Sequence, residues 1–220
     1  MIIHKVINSG KSLIMLLLSA LLLISCSEKK VSYWDNGFVR SNLEYKNGKL
    51  NGKAIWFFEN GNKEQEAFYK NNVLEGEMIR YYQNGNTESI SYYKNGKKTG
   101  KFISFDRQGH KVQEENYIND TLNGAVKQWF PGGQVKLEGF YKNGKFDGKW
   151  IYYDLTGNVV GIGNFKNGTG KLQAWWPNGN LKREVYYLDN KKHGEEKIYN
   201  LNGKTEQIIK WNNGEMITEN

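Results

Sequence analysis

Tyr141-Lys142-Asn143-Gly144-Lys145-Phe146-Asp147-Gly148 decides the fold, because Tyr45 to Gly52 and Tyr93 to Gly100 repeat the same pattern. An aromatic residue opens each copy, at Tyr45, Tyr69, Tyr93, Tyr117, Tyr141, Phe165, Tyr187 and Trp211, every 24 residues except for one interval of 22 after Phe165. With that residue as position 1, position 8 is glycine at Gly52, Gly76, Gly100, Gly124, Gly148, Gly170 and Gly194. Position 13 is always aromatic, from Tyr33 through Phe57, Tyr81, Phe105, Trp129, Tyr153 and Trp175 to Tyr199, and position 17 is always glycine. A period of this length marks a repeat architecture, in which each unit buries its apolar face against its neighbours.

Asn-Gly falls at positions 3 and 4 (Asn47-Gly48, Asn95-Gly96, Asn143-Gly144, Asn167-Gly168) and again at 16 and 17 (Asn60-Gly61, Asn84-Gly85, Asn178-Gly179, Asn202-Gly203). Both residues tolerate positive φ, so this pair between alternating runs signals a hairpin. Each unit then has two strands, expected at positions 8–14 and 19–26, joined by two turns. Pro131 and Pro177 both stand at position 15, beside the second turn, where no ladder hydrogen bond is lost. The short unit after Phe165 lacks two residues, and an even deletion, expected inside the turn, leaves side-chain alternation intact. Positions 9, 11 and 13 share a face, so Ile55, Ile79, Ile103 and Ile151 at position 11 join the regular aromatics. The rings at position 1 are expected to cover the strand glycines at position 8.

Composition agrees with a sheet rather than with a helical or aliphatic core. Of 220 residues 38% are hydrophobic and 14% aromatic, with 25 Gly and 2 Pro. The charged fraction of 25% carries both signs, and the rings needed to drive ordering set the chain apart from disordered sequences. The net charge of +8 admits anionic partners. Residues 1–25 read as a secretory signal: Lys5 and Lys11, an apolar run from Leu13 to Ile24, then Ser25-Cys26. That run is shorter than the ~20 residues a membrane-spanning helix needs. Leu23-Ile24-Ser25-Cys26 resembles the lipobox of bacterial lipoproteins, which implies cleavage between Ser25 and Cys26 and acylation of Cys26, the only cysteine. Several acyl chains give durable membrane attachment. Residues 26–32 are read as the lipidated cysteine and a short tether, and 33–220 as the repeat domain.

The units resemble the MORN repeat variant found in bacteria, on Tyr45 to Gly52, Tyr93 to Gly100 and Tyr141 to Gly148, and the likeness runs from about residue 33 to residue 217. Many lipoproteins of this build are grouped with antitoxins of the YwqK type. The resemblance implies an all-β fold: an elongated, single-layer antiparallel meander of about 15 strands at roughly 4.8 Å spacing. It also implies a non-enzymatic module that binds a protein, a toxin or an envelope component, on an extended β surface. The alternative is a structural envelope protein lying on membrane or cell wall.

No residue set points to chemistry. His110 and His193 lie more than three units apart, and neither sits at metal-ligand spacing. Glu114-Glu115 and Glu195-Glu196 alternate across strand faces, and no phosphate loop or nucleophile elbow is present. No cofactor and no nucleic acid are expected. Two sets of residues remain as candidates for binding. Trp56, Phe58, Tyr82, Phe130, Tyr152 and Trp176 occupy positions 12 and 14, where other units carry Ser104, Asp106, Asp154 or Asn200. They read either as a second packing layer or as an exposed interaction surface, with the regular aromatics of position 13 as the core. Lys46, Lys70, Lys94, Lys142 and Lys166 at position 2 stack into a basic column, either a solvated edge or an attraction for anionic surfaces. Glu66, Glu114, Glu138 and Glu184 at position 22 form a partly matching acidic column.

Overall fold

The computed structural model describes residues 27–217 as one open antiparallel sheet of 19 strand segments. Each strand pairs with its neighbours in sequence, so the chain meanders from one end of the sheet to the other. Asn-Gly explains the hairpins: Asn47 (φ 52°) and Gly48 (φ 72°) are both left-handed, the backbone of a type I′ turn. Asn71-Asn72, Asn119-Asp120 and Asp189-Asn190 adopt the same shape without glycine, at φ between 48° and 67°.

The second strand of the unit lies where the sequence put it, as in Lys63–Lys70. The first begins three residues earlier than expected, as in Lys49–Phe57 and Lys145–Tyr153, which brings the position 8 glycine inside a strand. The cause is a bulge. Leu43 faces Ala54 and Tyr45 faces Leu50, so Glu44 alone opposes Asn51, Gly52 and Lys53. Gly52 (φ 118°) turns the chain back into register there. The position 8 glycines do face the position 1 rings, as Gly52 faces Tyr69 and Gly148 faces Phe165, but a positive φ rather than ring cover demands them, except at Gly170 in the short unit, where a Cβ would lie 2.0 Å from the Asn164 carbonyl oxygen. In the short unit the ladder from Gly161–Ala174 to Lys166–Thr169 runs without a shift and the turn is intact at Asn167 (φ 50°) and Gly168 (φ 81°). The two missing residues are therefore those of the bulge, not of the turn.

Residues 27–32 are not a tether. Ser27–Tyr33 is the first strand, paired along its length with Val39–Lys46. An otherwise open edge is covered in this way, and Lys29 reaches Glu44 at 3.4 Å while the Ser32 and Ser41 hydroxyls meet at 2.7 Å. The expected signal, the cleavage site and Cys26 lie outside the described residues.

Alternation divides the sheet into two faces. Positions 1, 6, 10, 12, 21 and 23 share the first, and it is the buried one: Ala54, Val126, Trp150 and Glu196 at position 10, Leu137 at 21, Ala67 and Val185 at 23, Phe165 at 1. Around Phe146 the rings of Tyr141, Trp150, Phe165 and Tyr187 pack at centroid distances of 4.7 to 6.0 Å. Gly139 and Gly163 leave room for this cluster: a Cβ on either would lie 2.3 Å from the Trp150 or Phe165 ring. The regular aromatics of position 13 are on the second face, contrary to the expectation of a core there. They cover the lysine stems and carboxylates of that face, as Tyr153 donates to Glu138 at 3.1 Å and Lys111 lies 5.7 Å from the Trp129 ring.

Both long edges are tied unit to unit. At the first turn the N–H of Asn72 donates to the Leu50 carbonyl, and Gly96, Gly144 and Gly168 repeat that bond. At the second turn the amide side chains of Asn36, Asn60, Asn84 and Asn178 donate to carbonyls 23 residues further on, at 2.8 to 2.9 Å.

Candidate binding surface

The six aromatics singled out by sequence divide into two groups. Trp56 and Tyr152 at position 12 lie on the buried face: Trp56 meets Tyr69 edge-on at 6.2 Å, and Tyr152 packs against the cluster of Val126, Leu137, Trp150 and Phe165. Burial pushes the Tyr152 hydroxyl up to about 12. Phe58, Tyr82, Phe130 and Trp176 belong to the second turns and line that edge with Trp34. Three of these five clamp the next unit: Trp34 donates to Phe57 O (3.1 Å), Tyr82 to Phe105 O (2.8 Å) and Trp176 to Tyr199 O (3.0 Å). Arg40, Arg107, Lys136 and Lys182 stand over these rings at 4.2 to 5.8 Å. Packing and clamping thus occupy most of the set.

Among the described residues the widest of several open depressions lies on this surface, with others at the two ends of the sheet beside Trp34 and Ile208. A groove of about 760 Å³ crosses the first face between residues 78 and 112, and a smaller recess of about 390 Å³ beside it shares Arg80, Tyr82, Glu88 and Arg107. Phe58 and Tyr82 meet at the recess; the other four candidates do not reach it. The floor is made by Ser89, Ser91 and Ser104, where neighbouring units fill the face with larger side chains such as Leu137 and Trp56. Ser89 and Ser104 are direct cross-strand partners. Lys98 enters from position 6, the place of Leu50, Leu74, Leu122 and Phe146 in other units. Its ammonium lies 3.6 Å from the Phe102 ring centre and 4.1 Å from that of Tyr117. Burial among these rings lowers its pKa, against the opposing pull of Glu115 and Asp120. Sequence reading missed Arg80, Lys98 and Arg107 because it followed the aromatics; Lys98 departs from the apolar residues of position 6, while Arg80 and Arg107 stand at positions that vary in every unit and carried no such signal.

The basic column is exposed at Lys46, Lys70, Lys94, Lys142 and Lys166, and among the described residues none of these forms an ion pair. The acidic column does not match it. Glu66 pairs with Lys53 and Lys63, Glu114 with Lys101 (2.7 Å), Glu138 with Lys127 (2.5 Å) and Glu184 with Lys171 (3.0 Å). Beside the free lysines runs a second row that the sequence reading passed over, Phe68, Tyr92, Phe140 and Tyr186 at position 24, each 40 to 45% exposed.

The two histidines among the described residues serve turns: His110 Nδ1 lies 3.1 Å from Asp106, and His193 Nδ1 accepts from the Asn213 N–H at 3.4 Å. Among the described residues no three His, Cys, Asp or Glu side chains gather into a metal-binding group.

The model of the MORN repeat variant matches six segments, residues 50–71, 74–95, 122–143, 146–167, 169–189 and 192–213, more than half of the chain. The protein belongs to that family of repeats. The interval 96–121, between the second and third matches, holds Lys98, Phe102, Ser104 and Arg107, one side of the groove. No curated protein matches the chain.

Proposed function

We propose that the chain is a lipid-anchored binding module of the cell envelope that holds a protein partner on its extended β surface, with an antitoxin or immunity role toward an exported toxin. MORN repeats are generally motifs that bind membranes or proteins. The observation that carries the reading is the groove. A repeat needs only to fill its face and tie its edges, and the unit at 96–121 instead leaves the face open and lines it with charge. Acylated Cys26 would stand one residue before the first strand, so the sheet would begin at the membrane with almost no slack. A toxin held there would be met in the envelope, not in the cytosol. The proposal includes no catalytic step and no cofactor.

The test uses residues 27–220 as bait against secreted and envelope fractions, washed at low and at high salt. One stoichiometric protein that survives the high-salt wash supports the reading, and its identity decides the immunity role. Material that leaves entirely with salt supports the second reading, association with membrane or cell wall. That reading has its own observation in the unpaired lysine column beside Phe68, Tyr92, Phe140 and Tyr186, a pairing of cations and half-exposed rings suited to an anionic interface.

A further inference from the structure

Charge in the groove does not follow from the repeat. The chain has four arginines, and two of them, Arg80 and Arg107, flank Tyr82 at the groove. At position 12 the other units carry Ser32, Trp56, Ser104, Gln128, Tyr152, Ala174 and Ile198, and at position 15 they carry Asp35, Glu59, Gln83, Pro131, Leu155, Pro177 and Leu201. Lys98 is the third cation. Arg107 has no carboxylate partner among the described residues; its guanidinium rests 5.8 Å from the Tyr82 ring. Arg80 has only Glu88, at 3.4 Å, with side-chain exposures of 53% and 39%. The other acid in the groove, Asp106, is committed to its own turn through the N–H groups of Gln108 and His110, both at 2.9 Å, and through the His110 ring.

From this arrangement we infer that the groove receives an extended acidic segment of the partner protein, with a carboxylate seated by Arg107 and Arg80. Guanidinium groups bind carboxylates through paired, charge-assisted hydrogen bonds, so two of them beside an open recess select an anion. The rest of the lining selects a peptide. Met78, Phe102 and Val112 offer apolar contact to alternate side chains, and the Ser89 and Ser104 hydroxyls on the floor offer hydrogen bonds to a polypeptide backbone. The inference rests on the reading of a protein partner and names the chemistry by which that partner is recognised.

The experiment uses the full chain in detergent and two fluorescein-labelled octapeptides, one alternating glutamate with alanine and one alternating glutamine with alanine, followed by anisotropy. The glutamate peptide binds saturably and the glutamine peptide does not. Arg107→Gln and Arg80→Gln each weaken binding by about tenfold. Lys142→Gln makes the same change in net charge outside the groove and stays within about twofold of the parent. Equal binding of both peptides, or equal loss in Lys142→Gln and Arg107→Gln, overturns the inference. So does binding of phosphatidylglycerol vesicles that depends on Arg107 when the glutamate peptide does not bind. The two readings fail separately. A stoichiometric partner retained as well by Arg107→Gln as by the parent preserves the protein-binding reading and rejects this groove. Arg107-dependent peptide binding with no partner captured does the reverse.

Discussion

Glu196 gives the sharpest test of how charge is held on the buried face. Its position in other units belongs to Ala54, Met78, Phe102, Val126, Trp150 and Leu172, and to Lys30 in the exposed first strand, and its side chain is 3% exposed. Arg183 Nε lies 2.5 Å from one carboxylate oxygen, while Lys192 Nζ (2.9 Å) and Trp211 Nε1 (2.8 Å) reach the other. Glu196→Gln leaves both cations facing a neutral amide. Removing one partner of a fully buried pair costs about 3 to 5 kcal/mol. Arg183 and Lys192 keep side-chain exposures of 37% and 26%, so water recovers part of that, and we expect a loss of about 2 kcal/mol. Because repeats are coupled mainly to their neighbours, the loss is local. Amide exchange across 181–212 should quicken about 30-fold, with 49–70 unchanged. Burial opposes ionisation of Glu196, but hydrogen bonds from Lys192 and Arg183 outweigh it and hold the carboxyl below its ordinary 4.5. The stabilisation is therefore present above about pH 4.5 and is lost as pH falls through the folded-state value, so the variant lacks this acid-sensitive part in 181–212. Replacing Glu196, Arg183 and Lys192 together by leucine should restore stability to near the parent's, since nothing charged is left buried. Unchanged exchange in Glu196→Gln, or a triple variant worse than the single one, would refute the account.

Four further outcomes follow from the two faces. Trp150→Ala should cost about 3 to 5 kcal/mol in thermal or urea melts, and Tyr153→Ala, on the second face, about 1 to 2 kcal/mol; equal losses would deny the division of the faces. Gly139→Ala should cost about 1 to 3 kcal/mol or more, because its added methyl meets the fixed Trp150 ring and not a mobile side-chain end. Lys98→Leu restores the residue of Leu50, Leu74 and Leu122; its melting point should not fall, while binding of the glutamate peptide weakens. Changing Lys46, Lys70, Lys94, Lys142 and Lys166 to glutamine should leave melting intact and abolish low-salt binding to anionic vesicles, which a sedimentation assay reads directly.

The period, the turns and the open meander were legible because each rests on local chemistry. Asn-Gly puts both residues in left-handed backbone at the first turns, as at Asn47-Gly48, and the glycine alone at the second, as at Gly61, and a run of 24-residue intervals brings like positions into register. The interior was harder to read. Aromatic identity at position 13 was mistaken for burial, yet those rings shield lysine stems, and Tyr81 and Tyr153 donate to the carboxylate column. Position 10 holds the core with residues as unlike as Ala54, Trp150 and Glu196, and their variety hid them. A single-layer sheet allows this, since each unit fits its own two neighbours and need not match a common facing layer. The bulge went unseen for a related reason. Asn51-Gly52-Lys53 reads as strand entry, and only pairing against Glu44 reveals two surplus residues. The short unit, with a 22-residue interval and an unshifted ladder, carried that information in the length of its deletion.

The same separation of duties explains where binding can be placed at low cost in stability. Backbone and asparagine ladders secure the two edges, and the aromatic cluster around Phe146 fills the face over the later units. Neither depends on what occupies position 12 of the unit opening at Tyr69 or positions 6 and 15 of the next. Arg80 and Arg107 are exposed there, so their charges remain solvated, and Lys98 is held over two rings that accept a cation. Lys192, at the same position 6 in a later unit, also lies over a ring, that of Trp211, but pairs directly with buried Glu196, whereas buried Glu115 attracts Lys98 without an ion pair among the described residues. The groove has no such counter-charge within contact of Arg107, and that difference marks it as a place where the anion comes from outside the chain.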